Sequence, residues 1–294
     1  MSKFRIKWAR SQGEAKAREF EFSKFPIDPF AIAQAEDILV EPKPEAASGV
    51  SGGIIFHDDN VGIFYATNIK SEGFQNFTVG HELGHYFLEG HPEEILSTSP
   101  MHLSRAGFSQ GQSSIEIEAD HFASGLLMPT KLVKAELLNN RIGLEGILAL
   151  ADEARCSRTA SAIRAAECSQ YPMAIVMSEG NTIRYGFLSD GFKRLGKLIF
   201  PRKGDPLPAS LTNEFNQDTS KVLNRAQACG TTSLANWFDG PEGIELDEEV
   251  LGLGKYGYTL TVLSSEKLPE DPDEFEDEDA KLIESWTPKF AYGR

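Results

Sequence analysis

Two histidines and a glutamate in the segment FTVGHELGHYF have a spacing that suits metal chemistry. His81 and His85 are four residues apart, so on an α-helix both imidazoles face the same side and can bind one metal ion. Glu82 then projects beside the ion, toward a water molecule held there. The pattern predicts a site that needs a third protein ligand and an open position for water or substrate.

A second acidic segment, SIEIEADHF, follows roughly 30 residues later and supplies a candidate third ligand. Glu116 and Asp120 share one face of a helix predicted over 114–128. Glu116 can complete a zinc site, and Asp120 can accept a hydrogen bond from the second nitrogen of a ligand histidine. The alternative is a capping box, because Ser113-x-x-Glu116 lets the glutamate bond back to the Ser113 amide.

Two other residues compete for the third ligand position. Glu118 lies about 200° around the helix from Glu116, so we expect it to be solvated unless the helix is shifted. His91 stands where metzincins place their third histidine, but their pattern HExxHxxGxxH needs glycine where this chain has Leu88. The next glycine in the chain is Gly90, two residues after Leu88. We therefore expect His91 to lie past the helix end, as a cap or a polar group near the cleft.

The predicted ligands require two helices, one over 74–88 and one over 114–128, with a polar Ser/Gly/Gln-rich loop at 97–113 between them. Asp28-Pro29 is a typical start for a short helix before them. Before these two helices, the sequence predicts a helix at 29–37, a strand at 38–40 and a hairpin of strands at 52–56 and 61–67. After them it predicts helices at 131–138, 144–154 and 158–169. The remaining predicted elements are a hairpin formed by MAIVM and TIRYGFL, a loop at 200–215 and a strand at 256–263.

These elements predict an α+β fold with several segments. The boundaries are an N-terminal segment at 1–25, in which we predict no core element, a metal-binding domain with trailing helices at 26–170, a C-terminal α+β region at 171–268, and an acidic tail at 269–294. The tail is rich in acidic residues and proline, a composition typical of disorder.

Composition limits the possible functions. The 294 residues are 40% hydrophobic and carry a net charge of −15, which disfavours autonomous binding to nucleic acid. The three cysteines have no CxxC spacing, so neither a disulfide framework nor a cysteine zinc site is expected. No apolar run approaches the roughly 18 residues of a membrane span, and the charged N-terminus lacks a signal-peptide core. We expect a cytoplasmic protein without membrane association.

A different hypothesis comes from residues 147–167, which could form two helices joined near Cys156. Arg155, Arg158 and Arg164 would lie on or near the second helix, as in a helix-turn-helix DNA reader. The usual small residue of the turn is absent, and the whole chain is acidic. We therefore favour packing or docking of a partner protein for this segment over DNA binding.

The blocks FTVGHELGHYF and EIEADHFASGLLMP together resemble the ImmA/IrrE family of zinc-dependent endopeptidases. The resemblance covers about 26–170 and extends more weakly to LGKYGYTLTVL. It implies a small gluzincin-like α+β domain with a short antiparallel sheet, zinc bound by His81, His85 and Glu116, and Glu82 as catalytic base. Many family members have a histidine at the position of Glu89, where this chain departs from the pattern.

The same resemblance implies a protein substrate, a helix-turn-helix transcriptional repressor whose cleavage relieves repression in a stress or mobile-element response. Region 171–294 would sense a signal or hold the repressor. Zinc suits two histidines, one glutamate and a water, although manganese also accepts these ligands. Tyr65, Tyr86 and His102 are candidates to stabilise the oxyanion. The alternative function is a metal-containing regulator that binds a repressor or DNA without proteolysis.

Overall fold

The computed structural model describes residues 3–43, 49–104 and 114–267, and has the α+β fold that the sequence predicts. Two compact units make up the chain. The first comprises the described parts of Met1–Val133 with Leu150–Ala160, and the second Lys134–Ala149 with the described part of Ser161–Lys289. The domain boundaries predicted from sequence remain predictions, and the acidic tail at 269–294 lies outside the described residues.

The first unit combines helices with a four-stranded sheet of order β1-β3-β2-β4. The predicted hairpin is confirmed, with Ile54 of β2 opposite Ile63 of β3. The sheet was expected to be antiparallel throughout, but β1 pairs with β3 in parallel. The elements are α1 (Lys3–Glu19), α2 (Pro29–Ala35), β1 (Leu39–Pro42), β2 (Gly52–His57), β3 (Asn60–Tyr65), α3 (Glu72–Phe87), α4 (His91–Leu96), β4 (Met101–Ser104) and α5 (Ser114–Leu127).

Helix α3 lies at the centre of this unit and is buried at every residue from Asn76 to His85. It contacts β2, β3 and α5. Glycines allow α5 to come close: a Cβ on Gly84 would lie 3.1 Å from the Ala119 Cα, and one on Gly80 would lie 3.5 Å from the Ala123 Cβ. The two helices therefore run antiparallel with their backbones in near contact.

The N-terminal segment forms a core helix, contrary to the prediction that it has no core element. Helix α1 packs along α5, with Ala9 and Ala17 fully buried. Between them, a Cβ on Gly13 would overlap the Phe122 carbonyl oxygen of α5. Alanine and glycine recur here at every fourth residue, so the backbone of α1 packs closely against α5. A core helix is usually predicted from large apolar side chains, which these positions lack.

The second unit is built on an antiparallel five-stranded sheet of order β6-β5-β9-β8-β7. The predicted hairpin of β5 and β6 and the strand β9 are confirmed. The segment predicted as a loop at 200–215 instead includes the start of a helix, α10. The elements from α6 onward are α6 (Thr130–Leu138), α7 (Leu144–Glu153), α8 (Arg158–Cys168), β5 (Met173–Glu179), β6 (Thr182–Leu188), α9 (Asp190–Lys193), α10 (Leu211–Gln217), α11 (Thr219–Leu223), β7 (Gln227–Ser233), α12 (Leu234–Phe238), β8 (Glu245–Gly252), a 3-10 turn (Gly254–Tyr256) and β9 (Tyr258–Ser264).

Across the described residues, no helix has both the length and the hydrophobicity that crossing a membrane requires.

Replacing Gly125 with alanine tests the contact between α1 and α5, because a Cβ there would overlap the Arg10 carbonyl oxygen. We expect a loss of about 1–3 kcal/mol in unfolding free energy, although alanine normally favours a helix over glycine by about 1 kcal/mol. Urea unfolding followed by circular dichroism measures this. The control Gly80→Ala adds a methyl at ordinary contact distance and should not destabilise. Equal stability of Gly125→Ala and wild type would contradict the packing.

Candidate metal centre

Helix α3 places His81, Glu82 and His85 inside the first unit. The helix begins after Ser71, whose hydroxyl accepts a hydrogen bond from the Phe74 amide, and all three side chains are buried. The Nε2 atoms of the two histidines are 3.1 Å apart. The i, i+4 spacing therefore brings both imidazoles to one point, as the helical interpretation expects.

Glu116 reaches the same point from helix α5. Its Oε2 lies 3.5 Å from the Nε2 of His81 and its Oε1 lies 3.3 Å from the Nε2 of His85. One donor atom from each of these residues lies within 4.8 Å of the others. The competing capping box depends on Ser113, which lies outside the described residues. Two imidazole nitrogens and one carboxylate oxygen form a donor set that suits zinc.

Asp120 lies one turn after Glu116 and contacts the far side of His81. Its Oδ1 is 2.9 Å from the Nδ1 of His81, and both residues are buried. A hydrogen bond at Nδ1 leaves the Nε2 lone pair free to face the donor group. The geometry is that of the supporting role predicted for Asp120.

Glu82 is the unusual group of the site. It is fully buried, and neither carboxylate oxygen has a well-formed hydrogen bond. Burial raises its pKa to about 7. A buried carboxyl group without a partner is costly for stability and is expected where a protein handles protons or ligands.

The electrostatics of the donor group favour a cation. Burial lowers the pKa of His85 to about 3, so this ring is neutral. Burial also opposes ionisation of Glu116, but hydrogen bonds with His102, His81 and His85 outweigh it and hold its pKa well below the usual value. Burial by itself lowers the pKa of His81. The neighbouring carboxylates of Asp120 and Glu116 raise it by more, so the pKa lies well above its usual value.

Of the three oxyanion candidates, the structure brings only His102 to the donor group. Its Nε2 lies 2.7 Å from Glu116 Oε1, and its ring centroid is 4.6 Å from that of His85. Tyr65 packs edge-on against Phe30. The hydroxyl of the third candidate, Tyr86, is 3.4 Å from the carboxylate of Glu36.

Glu118 and His91 are both buried next to the site. Glu118 is not solvated, since it is only 1% exposed and is paired with Arg5 at 2.7 Å. His91 follows Gly90, whose positive φ of 89° turns the chain away from the direction of helix α3. This turn brings His91 back behind His85, where their Nδ1 atoms are 3.2 Å apart. Gly90, which comes two residues later than the metzincin pattern requires, argued against a ligand role for His91. The same glycine is the sequence signal for the turn that places His91 beside His85.

The two remaining histidines are His57 and His121. His57 is exposed at the end of β2, and the Nδ1 of the buried His121 lies 2.9 Å from the Nη2 of Arg10.

The arginines of the helix-turn-helix hypothesis are engaged within the protein. Arg164 is 2% exposed and pairs with Glu167 at 3.0 Å. Arg155 pairs with Glu72, also at 3.0 Å. Base reading needs side chains that project from the surface, so this hypothesis loses the buried Arg164, whereas Arg155 and its partner Glu72 are both exposed.

Residues 34–165 match the model of the IrrE N-terminal-like domain, named Peptidase_M78. This range contains every site residue predicted from sequence. No curated protein matches the chain. Among solved structures, a Mycobacterium tuberculosis transcriptional regulator is similar in fold, with a TM-score of 0.53 and 13% identity, over 87% of this chain and 76% of that one.

The matched domain carries both sequence blocks that contain the donor group, and its family name denotes a peptidase. Together with the α+β fold, this match identifies an IrrE N-terminal-like domain at 34–165 and supports membership of the ImmA/IrrE family.

Proposed function

We propose that this protein is a zinc-dependent endopeptidase in which His81, His85 and Glu116 hold the ion and Glu82 is the catalytic base. The observation that carries the proposal is the fully buried carboxyl group of Glu82, which has no well-formed hydrogen bond, beside a group of three metal-type donors. A purely structural site has no use for such a carboxyl group, because it lowers stability.

The donor set fits the ion that this proposal requires. Its two imidazole nitrogens and one carboxylate oxygen leave room for a non-protein ligand in a tetrahedral arrangement, which favours zinc, although manganese also accepts these donors. When bound, the ion would polarise the scissile carbonyl and make water more acidic.

Glu82 moves the protons of the reaction. One of its carboxylate oxygens takes a proton from the attacking water, and the same group later gives that proton to the nitrogen of the leaving amine. The pKa of about 7 suits both steps, since a base and acid used in turn works best near the operating pH. Asp120 meanwhile keeps the ring of His81 in the tautomer that presents Nε2.

The sheet beside the site offers a place for an extended peptide. Within the described residues, β4 is an edge strand that pairs with β2 on one side. It carries His102 toward the donor group and exposes Met101 and Leu103. An unpaired edge can accept a substrate as an added strand, and the exposed apolar side chains would contact it.

We further propose that the substrate is a helix-turn-helix transcriptional repressor, and that its cleavage relieves repression in a stress or mobile-element response. The family resemblance supports this substrate class. We place the reaction in the cytoplasm, and assign the C-terminal region from 171 a sensing or substrate-docking role. The competing function is a metal-containing regulator that binds a repressor or DNA without cutting.

Metal content separates the ligand role of Glu116 from the role of Glu82. We expect about one zinc per chain in wild type and in Glu82→Gln, and a large loss in Glu116→Ala, because only the latter removes a ligand. Mass spectrometry of the purified proteins measures it. The exposed Glu93 provides the control Glu93→Ala. Full zinc in Glu116→Ala would contradict the proposed ligand set.

Substrate cleavage separates the peptidase from the regulator. Glu82→Gln keeps the shape of the side chain but cannot take a proton, so we expect cleavage of the repressor to fall by about 10²–10⁴-fold. Gel analysis of repressor incubated with each protein measures this. If Glu82→Gln relieves repression in cells as well as wild type does, the non-proteolytic regulator is correct. A shift of duplex DNA that weakens steeply with salt would instead indicate DNA binding.

Metal binding is expected to release protons. The raised pKa of His81 means that the ring is protonated near neutral pH without metal, and the ion must displace that proton. Zinc affinity should therefore fall as the pH falls, and an ion that binds near pH 7 should release the proton of His81. Titration calorimetry in buffers of different ionisation enthalpy measures the release. A binding enthalpy independent of the buffer would contradict this expectation.

A further inference from the structure

We infer that His91, Glu118 and Arg5 are positioning residues that fix the ring of His85, so that helix α1 is part of the metal centre. The inference rests on the proposed metal site. It concerns a chain of contacts that starts on the side of His85 opposite the donor group and ends outside the matched family domain at 34–165.

The first contact joins two fully buried imidazoles. His85 presents Nε2 to His81 and Glu116, which leaves Nδ1 as its other polar atom. That atom lies 3.2 Å from Nδ1 of His91. Both residues have no exposed surface, so water does not compete for this contact.

The second contact fixes which way the hydrogen bonds run. An imidazole that gives its Nε2 lone pair to a cation carries its proton on Nδ1, so His85 donates to His91. His91 then accepts at Nδ1 and carries its own proton on Nε2. That nitrogen is 3.3 Å from Oε2 of Glu118, a carboxylate able to accept it. A neutral His91 thus satisfies both neighbours at once.

The third contact anchors the carboxylate to helix α1. Arg5 binds Glu118 in a two-pronged arrangement, with Nε 2.9 Å from Oε1 and Nη2 2.7 Å from Oε2. The arginine also lies over the ring of Trp8, 4.9 Å from its centroid. Since Glu118 is buried, removing Arg5 would leave an uncompensated charge next to His91.

The two histidine ligands are therefore supported in different ways. His81 contacts the carboxylate of Asp120 directly. The Nδ1 atom of His85 instead contacts His91, which in turn contacts the carboxylate of Glu118. The rigidity of His85 consequently depends on residues that are distant in sequence, including Arg5 on a helix that packs against α5.

Zinc affinity of the full chain tests the inference, measured by competition with a chromophoric chelator. We expect His91→Leu to weaken binding by about 10–100-fold, as loss of an outer hydrogen-bond partner typically does. His91→Asn, whose side-chain oxygen can still accept from His85, should recover most of it. His57→Leu replaces an exposed histidine and should match wild type.

A matched pair on helix α1 tests the remote end. Arg5→Met should weaken zinc binding by about 3–10-fold, whereas Lys7→Met removes the same charge from an exposed position of the same helix and should not. Loss of a positive charge by itself would strengthen cation binding, so the expected sign is opposite to that of simple electrostatics. The absorption spectrum of the cobalt-loaded protein should also change in His91→Leu and Arg5→Met, because the ring of His85 moves.

The outcomes are distinguishable. If wild type binds no zinc, the proposed function fails and the inference with it. If wild type binds zinc and His91→Leu matches His57→Leu in affinity and cobalt spectrum, the inference alone is wrong. Should His91→Leu not fold, as judged by circular dichroism, the helix α1 pair decides. Equal zinc affinity of Arg5→Met and Lys7→Met would then overturn it.

Discussion

The close approach of helices α3 and α5 is the constraint on which the rest of the site depends. Gly84 lies against the backbone of Ala119, where a Cβ would be 3.1 Å from the Ala119 Cα, so a side chain at this position would push the helices apart. Glu116 is one turn before Ala119, so the same contact sets its distance from the two histidines. The motif HELGH therefore supplies two metal-type donors, His81 and His85. Its glycine, Gly84, also forms part of the surface against which α5 packs, and so helps to place the third donor, Glu116.

Burial has opposite consequences for neighbouring groups in this centre. Glu116 lies beside the imidazoles of His81, His85 and His102, which keep it ionised. Glu82, one residue from His81, has no such partner and loses ionisation to burial. The fold thus keeps an unfavourable carboxyl group inside the buried part of helix α3. In the proposed reaction, the adjacent sheet edge at β4 gives a peptide substrate a place to bind.

Helix α1 shows how small residues can build a core. Ala9, Gly13 and Ala17 bring its backbone against α5, and close backbone contact replaces the large side chains of a usual helix interface. The second unit uses the more familiar arrangement, in which an antiparallel sheet buries residues such as Phe192 and Trp237. Each unit has its own apolar core, which agrees with the division into two compact parts.

The sequence by itself determined the features that depend on local spacing. Residues four apart on a helix must share a face, so the pairing of His81 with His85 and of Glu116 with Asp120 could be predicted without a fold. The hairpin of β2 and β3 followed equally from turn residues between apolar runs. Only the tertiary structure decided what met these faces: the burial of Glu118 by Arg5, the return of His91 onto His85, and the strand that carries His102. Such contacts join residues far apart in the chain, and no helical or strand period encodes which distant side chain will fill a given space.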